Sequence, residues 1–241
     1  MHKLTLPLKI ILISALAILS GCATTHQVDG VNDPYESYNR TMYSFNKTLD
    51  KAIIKPAAQV YDAVLPDPIS WGISNFFSNL LEVKVVLNDL LQFKFEQAAD
   101  DFGRLALNTT VGFGGIFDIA GHAGHTANDE DFGQTLGVWG VEPGPYLVLP
   151  LFGPRNIRDT VGLVGDTYSH PVTYLKDAGA RNAFVTANLL DKRATALGID
   201  NVLNEATADE YSYVRDAYTQ RRLNLVYDGN PPEEDFDVFS D

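Results

Sequence analysis

The chain has 241 residues and a formal net charge of −13, with 45% hydrophobic and 11% aromatic side chains. That length suits one domain with a sizeable core, and so acidic a body repels phosphate backbones and anionic headgroups, which argues against nucleic acid as a partner. Attachment to a membrane then has to come from acyl chains and apolar surface, not from charge.

Residues 1–21 open with Lys3 and Lys9 and continue into an apolar run, Ile10 to Leu19, broken only by Ser14. The run is too short to span a bilayer and has the layout of a secretory signal. Leu19-Ser20-Gly21-Cys22 then resembles a bacterial lipobox, in which small residues admit a peptidase and the thiol accepts a diacylglyceryl group. Cys22 is the single cysteine of the chain. It has no disulfide partner in an oxidising compartment, so attached lipid is its simplest use. Cleavage before Cys22 removes two lysines and no acid, taking the net charge from −13 to −15. Ala23 stands where an aspartate resembles an inner-membrane retention signal, which points to the outer membrane.

Residues 22–32 read as the lipidated cysteine and a small, polar tether. At "DPYE", Asp33 is placed to cap a helix, Pro34 to start it and Glu36 to complete a capping box. Tyr35, Tyr38, Met42, Phe45, Leu49 and Ile53 follow at spacings of three and four, an apolar stripe that favours core and ends near Lys55-Pro56. A second helical region carries Ile69, Ile73, Phe76, Phe77, Leu80 and Leu81, and Phe95, Ala98, Phe102 and Leu105 keep helical spacing beyond it. Another helix is predicted from about Ala178 to Leu197, with Phe184, Ala187, Leu190, Ala194 and Leu197 in register. The last starts at Thr207, capped reciprocally by Glu210, and shows Tyr211, Val214, Tyr218 and Leu225 on one side. Residues 228–241 hold six acids and no base, the composition of a disordered tail. Helical stripes far outnumber strand-like alternation, so the class is mostly α, in a single domain over 33–227.

Two segments break this pattern. Gly112 to Gly124, "GFGGIFDIAGHAG", is apolar and glycine-rich. Gly137 to Pro154, "GVWGVEPGPYLVLPLFGP", has nine apolar side chains, four glycines, four prolines and one charge. Four prolines rule out a spanning helix, and so apolar a loop belongs neither in water nor, with its polar backbone uncovered, in hydrocarbon. It has to be buried in protein, or lie against lipid while protein satisfies its backbone, with a short hairpin expected around Glu142-Pro143-Gly144-Pro145.

Familiar catalytic and ligand motifs fail. There is no G-x-S-x-G elbow, and in "GFGGIF" Phe117 occupies the position of the third glycine of a dinucleotide loop. His122 and His125 lack the further ligands of a metal centre, so a structural or surface role is expected for them. "NDEDFG" fails as a calcium loop at Phe132 and Trp139. No nucleophile is committed to a base, so no enzyme, cofactor or metal is predicted.

Five segments in colinear order resemble the MlaA/VacJ lipoprotein family: 33–50, 73–82, 107–121, 130–159 and 211–222. The long central block "EDFGQTLGVWGVEPGPYLVLPLFGPRNIRD" is the most specific, and the lipobox agrees with it independently. The resemblance implies a ring-shaped domain of amphipathic interfacial helices with Gly/Pro-rich apolar loops. It implies attachment to the inner leaflet of the outer membrane beside a porin trimer. It also implies phospholipid as cargo, taken from the outer leaflet and handed to a soluble periplasmic lipid carrier. On that reading Gly112, Gly114, Gly115, Trp139, Gly144, Tyr146, Leu147, Leu149 and Phe152 are candidates to line or gate the lipid passage, with core packing as the alternative for each. Two rivals share the lipobox and the acidity: a non-enzymatic envelope scaffold, and a membrane-surface phospholipase with an unfamiliar site.

Overall fold

The computed structural model describes residues 27–28, 31–200 and 209–232. The predicted signal segment, Cys22 and most of its tether, Thr207, and the tail beyond residue 232 lie outside the described residues. Within the tether, strands β1 (Gln27–Val28) and β2 (Val31–Asn32) pair antiparallel where only coil was expected.

Helix α1 spans Glu36–Leu49, with Tyr35 at the cap position. Asp33 does not cap it. Its carboxylate is buried and accepts from the Asn39 amide at 2.8 Å and from the Tyr211 hydroxyl, so a tertiary bond has displaced the local one. Nor does the helix end at Pro56. A π-helical turn, Asp50–Ile54, leads directly into α2 (Lys55–Val64). Pro56 lies just past the π turn inside this continuous helix, and a π turn is a usual place for a helix to absorb an interrupted hydrogen-bond ladder. Helix α3 (Asp67–Leu91) is joined to α4 (Phe95–Thr110) by three residues, with Phe93 in the left-handed region at φ 63°. A short α5 (Ile119–His122) follows the glycine-rich turn.

Helix α6 (Phe132–Val138) is capped by Asp131, whose side chain accepts from Gln134 N at 2.8 Å. The hairpin lies later than the expected "EPGP". Strands β3 (Tyr146–Leu149) and β4 (Gly153–Asn156) pair antiparallel around Pro150 to Phe152. Pro143 and Pro145 have no N–H to give a ladder, so pairing starts at the first residue past them. Helix α7 (Ile157–Ser169), a 3₁₀ turn (Pro171–Tyr174), α8 (Ala178–Thr195) and α9 (Glu210–Val226) complete the fold. Asp209, not Thr207, caps α9. Helices α6 and α7 meet backbone to backbone: a Cβ on Gly162 would lie 2.6 Å from Gly133 N.

Packing contacts run in a closed circuit. Helix α3 touches α8, α8 touches α2, and α2 leads through the π turn to α1; α1 touches β3, β4 touches α9, α9 touches α6, and α6 returns to α3. This is the helical ring that was expected. No helix among the described residues is long and apolar enough to cross a membrane.

Polarity in this ring is inverted. Nine hydrophobic residues are buried among the described residues, against nineteen polar or charged ones, while thirty-three large hydrophobics are exposed. A water-facing globule of this size has the opposite balance. The stripe on α1 was read as favouring core, and the structure divides it: Tyr38, Phe45 and the following Ile53 are exposed, Tyr35, Met42 and Leu49 are half-buried, and the polar Asn39 is fully buried. On α4 the same rotation exposes Phe95 and Phe102 and buries Asp101, Arg104 and Asn108 beside Ala98. Amphipathic spacing locates a face; it does not say which medium that face meets.

Candidate functional site

The apolar stretch 137–154 is held by two asparagines of α1. The Asn39 amide donates to Tyr146 O at 3.1 Å while its carbonyl accepts from Val148 N at 2.8 Å. One helical repeat on, Asn46 donates to Leu149 O at 2.9 Å and accepts from Leu151 N at 2.8 Å. Each side chain thus mimics a neighbouring strand for two alternate residues of β3 or its turn. The free edge of β3 is closed without a third strand, and greasy backbone becomes tolerable away from water.

Beside this, α9 presents Tyr211, Arg215, Tyr218 and Arg222 along one face. Tyr211, Tyr146 and Val148 make the buried apolar cluster, with Met42, Tyr43 and Tyr218 packed against it. Arg222 bonds Asp131 at 2.6 Å and Asp159 at 2.9 Å, and the Tyr218 hydroxyl donates to Asp159 at 2.5 Å. Burial alone would push the Asp131 carboxyl up, yet the hydrogen bonds and charge of Arg222 outweigh it and hold it at about 2. A cavity of about 360 Å³ opens onto this network, bounded by Gly140, Gly144, Tyr146, Arg158, Tyr218 and Arg222. The buried Tyr146 hydroxyl has no partner among the described residues.

The α3–α4 seam is equally polar. Arg104 bonds Glu82 at 3.0 Å and the His125 carbonyl at 2.5 Å. Gln92 donates to Glu130 at 2.8 Å, and Thr135 donates to Asn88 at 2.8 Å. Burial, opposed by Arg104, raises the Glu82 carboxyl to about 7; burial and the neighbouring Asp101 raise Asp89 to about 8. The glycine-rich turn docks on this seam. Gly115 has φ 93°, and a Cβ there would lie 2.3 Å from the Asn79 side chain.

Lys84 on α3 bears electrostatically on Asp131, Asp166, His170 and Lys192, so α3, α6, α7 and α8 present charge to one shared space. Lys192 is accessible to water yet so closely walled by protein that desolvation, with Lys84, holds its ammonium below the usual lysine value.

The predicted site residues fall in two places. Gly112, Gly114 and Gly115 form the turn between α4 and α5; Gly112 and Gly115 are buried against neighbours, and Gly114, at φ 74°, faces open space. Gly144 and Tyr146 come together at the 360 Å³ cavity. Leu147 and Leu149 are half-buried on the opposite face of β3 from Val148. Trp139 is half-exposed and donates from Nε1 to Leu91 O at 2.9 Å, and Phe152 is exposed at the hairpin turn. His122 and His125 are exposed, bonded to Asp118 O and to the Asp100 carboxylate. Sequence reasoning missed the polar interior. Its signal was present as polar residues at helical spacing: Asn39 and Asn46; Asn79, Glu82 and Asn88; Asp101, Arg104 and Asn108; Arg215 and Arg222.

A closed circuit of helices with polar groups inside and apolar side chains outside defines a lipid-facing, non-spanning helical ring. The MlaA lipoprotein family model matches residues 31–225. The intermembrane phospholipid transport system lipoprotein MlaA of Escherichia coli K12 is 38% identical over 232 residues, 92% of each chain. Its Haemophilus influenzae namesake is 36% identical over 90% of this chain and 89% of that one. A chain solved for the structural basis for maintenance of bacterial outer membrane lipid asymmetry superposes with a TM-score of 0.72 at 36% identity, covering 80% of this chain and 98% of that one. The chain belongs to the MlaA lipoprotein family.

Proposed function

We propose that this protein removes misplaced phospholipid from the outer leaflet of the outer membrane and passes it to a soluble periplasmic carrier, so keeping that membrane asymmetric. Anchored through acylated Cys22 and seated beside a porin trimer, it makes and breaks no covalent bond. The observation that carries this reading is the inverted polarity of the ring. A diacyl lipid released into water exposes roughly thirty methylenes at about 0.8 kcal/mol each, a barrier of order 20 kcal/mol. Taking its headgroup through hydrocarbon costs several kcal/mol more. A ring that offers polar groups within and apolar surroundings without lowers both barriers together. Gly112, Gly114, Gly115, Trp139, Gly144, Tyr146, Leu147, Leu149 and Phe152 are the residues assigned to its lining or gate.

The test is outer-leaflet phospholipid in a deletion strain complemented with wild type or with Cys22→Ala. Wild type restores the low level and Cys22→Ala does not. Natively folded protein unable to relay lipid between vesicles, with its acceptor and porin supplied, overturns the proposal.

A further inference from the structure

The corner where α3, α7 and α8 meet carries cations that have no direct ion pair among the described residues. A cavity of about 470 Å³ lies there, lined by the apolar Phe77 and Phe184 together with the polar Asp166, His170, Arg181 and Asn188. Arg181 reaches only a backbone carbonyl, Leu175 O at 3.3 Å, and makes no ion pair among the described residues. The His170 Nδ1 accepts from Val172 N at 3.2 Å, and Nε2 makes no hydrogen bond among the described residues. Asp166 accepts from Phe132 N at 2.9 Å through one oxygen, and no side chain bonds the other among the described residues. The Asn188 side-chain oxygen is buried without a partner among the described residues. Lys84 and Lys192 make no ion pair among the described residues, and after burial their charges are what hold the His170 imidazole below its usual value. Carboxylates act on these cations only at a distance, Asp166 among them, and cations left without a direct ion pair are places where an arriving anion gains charge-assisted bonds.

We infer that this cavity is the station at which a phospholipid headgroup is held during passage, its phosphodiester against Arg181 and His170 and an ethanolamine-type ammonium against Asp166. The size is within the range of small-ligand pockets and admits a headgroup with its glycerol, while two acyl chains have to lie elsewhere. Phe77 and Phe184 give the first acyl carbons an apolar wall, and Lys84 and Lys192 draw the phosphate inward. The assignment rests on the transport reading and adds to it the residues that recognise the head.

The experiment measures phospholipid bound per acylated, full-length protein extracted in detergent, with its headgroup composition, for wild type, Arg181→Gln, Arg181→Lys, Lys192→Gln and Asp166→Asn. Expected are a loss of at least about fivefold for Arg181→Gln, partial recovery in Arg181→Lys and a smaller loss for the exposed Lys192→Gln, since one charge-assisted bond is worth a kcal/mol or more. Asp166→Asn shifts the bound lipid from ethanolamine toward glycerol heads. If Arg181→Gln does not fold, Lys192→Gln alone decides. Variants that bind lipid as wild type does overturn the headgroup station and leave transport standing, whereas wild type that neither binds nor relays lipid overturns transport itself. Inorganic phosphate that raises thermal stability through Arg181, with lipid occupancy unchanged in Arg181→Gln, assigns the cavity to the free anion and also overturns the station.

Discussion

At the scale of the residue, Asn39 shows how a polar side chain substitutes for a strand. Its amide is fully buried and serves Tyr146 O, Val148 N and Asp33 together. Asn39→Ala strands a buried donor and a buried acceptor, so unfolding monitored in detergent should show a loss of at least about 2 kcal/mol. Asn46→Ala, on a half-buried position, should lose about 1 kcal/mol. The glycine turn gives a second contrast. Gly114 and Gly115 both have positive φ, but only at Gly115 would a Cβ strike a neighbour, Asn79. Gly114→Ala should cost about 1–2 kcal/mol for its backbone alone, and Gly115→Ala clearly more, read as thermal midpoints. Equal midpoints would mean that the turn does not dock on α3.

At the scale of the element, the α3–α4 hairpin is a buried acid seam. Burial pushes Glu82 up to about 7 and, with Asp101, pushes Asp89 up to about 8. A carboxyl whose folded pKa lies above its unfolded value of about 4 binds more protons folded than unfolded in between. Its stabilisation is therefore full below about pH 4 and drains away as pH climbs toward about 8. Asp131, held at about 2, runs the other way and loses its contribution as pH falls from about 4 to about 2. Asp89→Asn should flatten the decline in stability between about pH 5 and 8 relative to wild type, measured by denaturant midpoints across pH. A decline as steep in the variant as in wild type would show that the seam is not the source.

At the scale of the whole molecule, the exterior is the larger part of the argument. Phe93, Phe102, Phe113 and Phe117 are all more than half exposed, each a side chain worth about 1.5–3 kcal/mol on transfer from water. They touch too little protein to hold the fold, so Phe102→Ser or Phe113→Ser should leave unfolding within about 0.5 kcal/mol of wild type. The same change should weaken binding of unacylated chain to neutral vesicles by about tenfold, read by flotation. Unchanged partition would mean that these rings face protein.

Much of this was written in the chain. Helical stripes on α8 and α9 are where periodicity put them, with Tyr211 buried and Phe184, Leu190 and Tyr218 half-buried. The need of segment 137–154 for a partner that covers its backbone was also legible, because prolines and glycines cannot satisfy themselves. The supplier of that cover was not. Asn39 and Tyr146 are 107 residues apart, and only folding brings the amide to the strand.

The sequence by itself located α1, α3, α4, α8 and α9 and the line along which the apolar face of each runs, while α2, α6 and α7 emerged only in the structure. The tertiary structure alone decided which face turns inward. Spacing is a property of one helix, whereas inside and outside are set by its neighbours. Here those neighbours close a ring around polar groups and leave Tyr38, Phe45 and Phe102 on the outside.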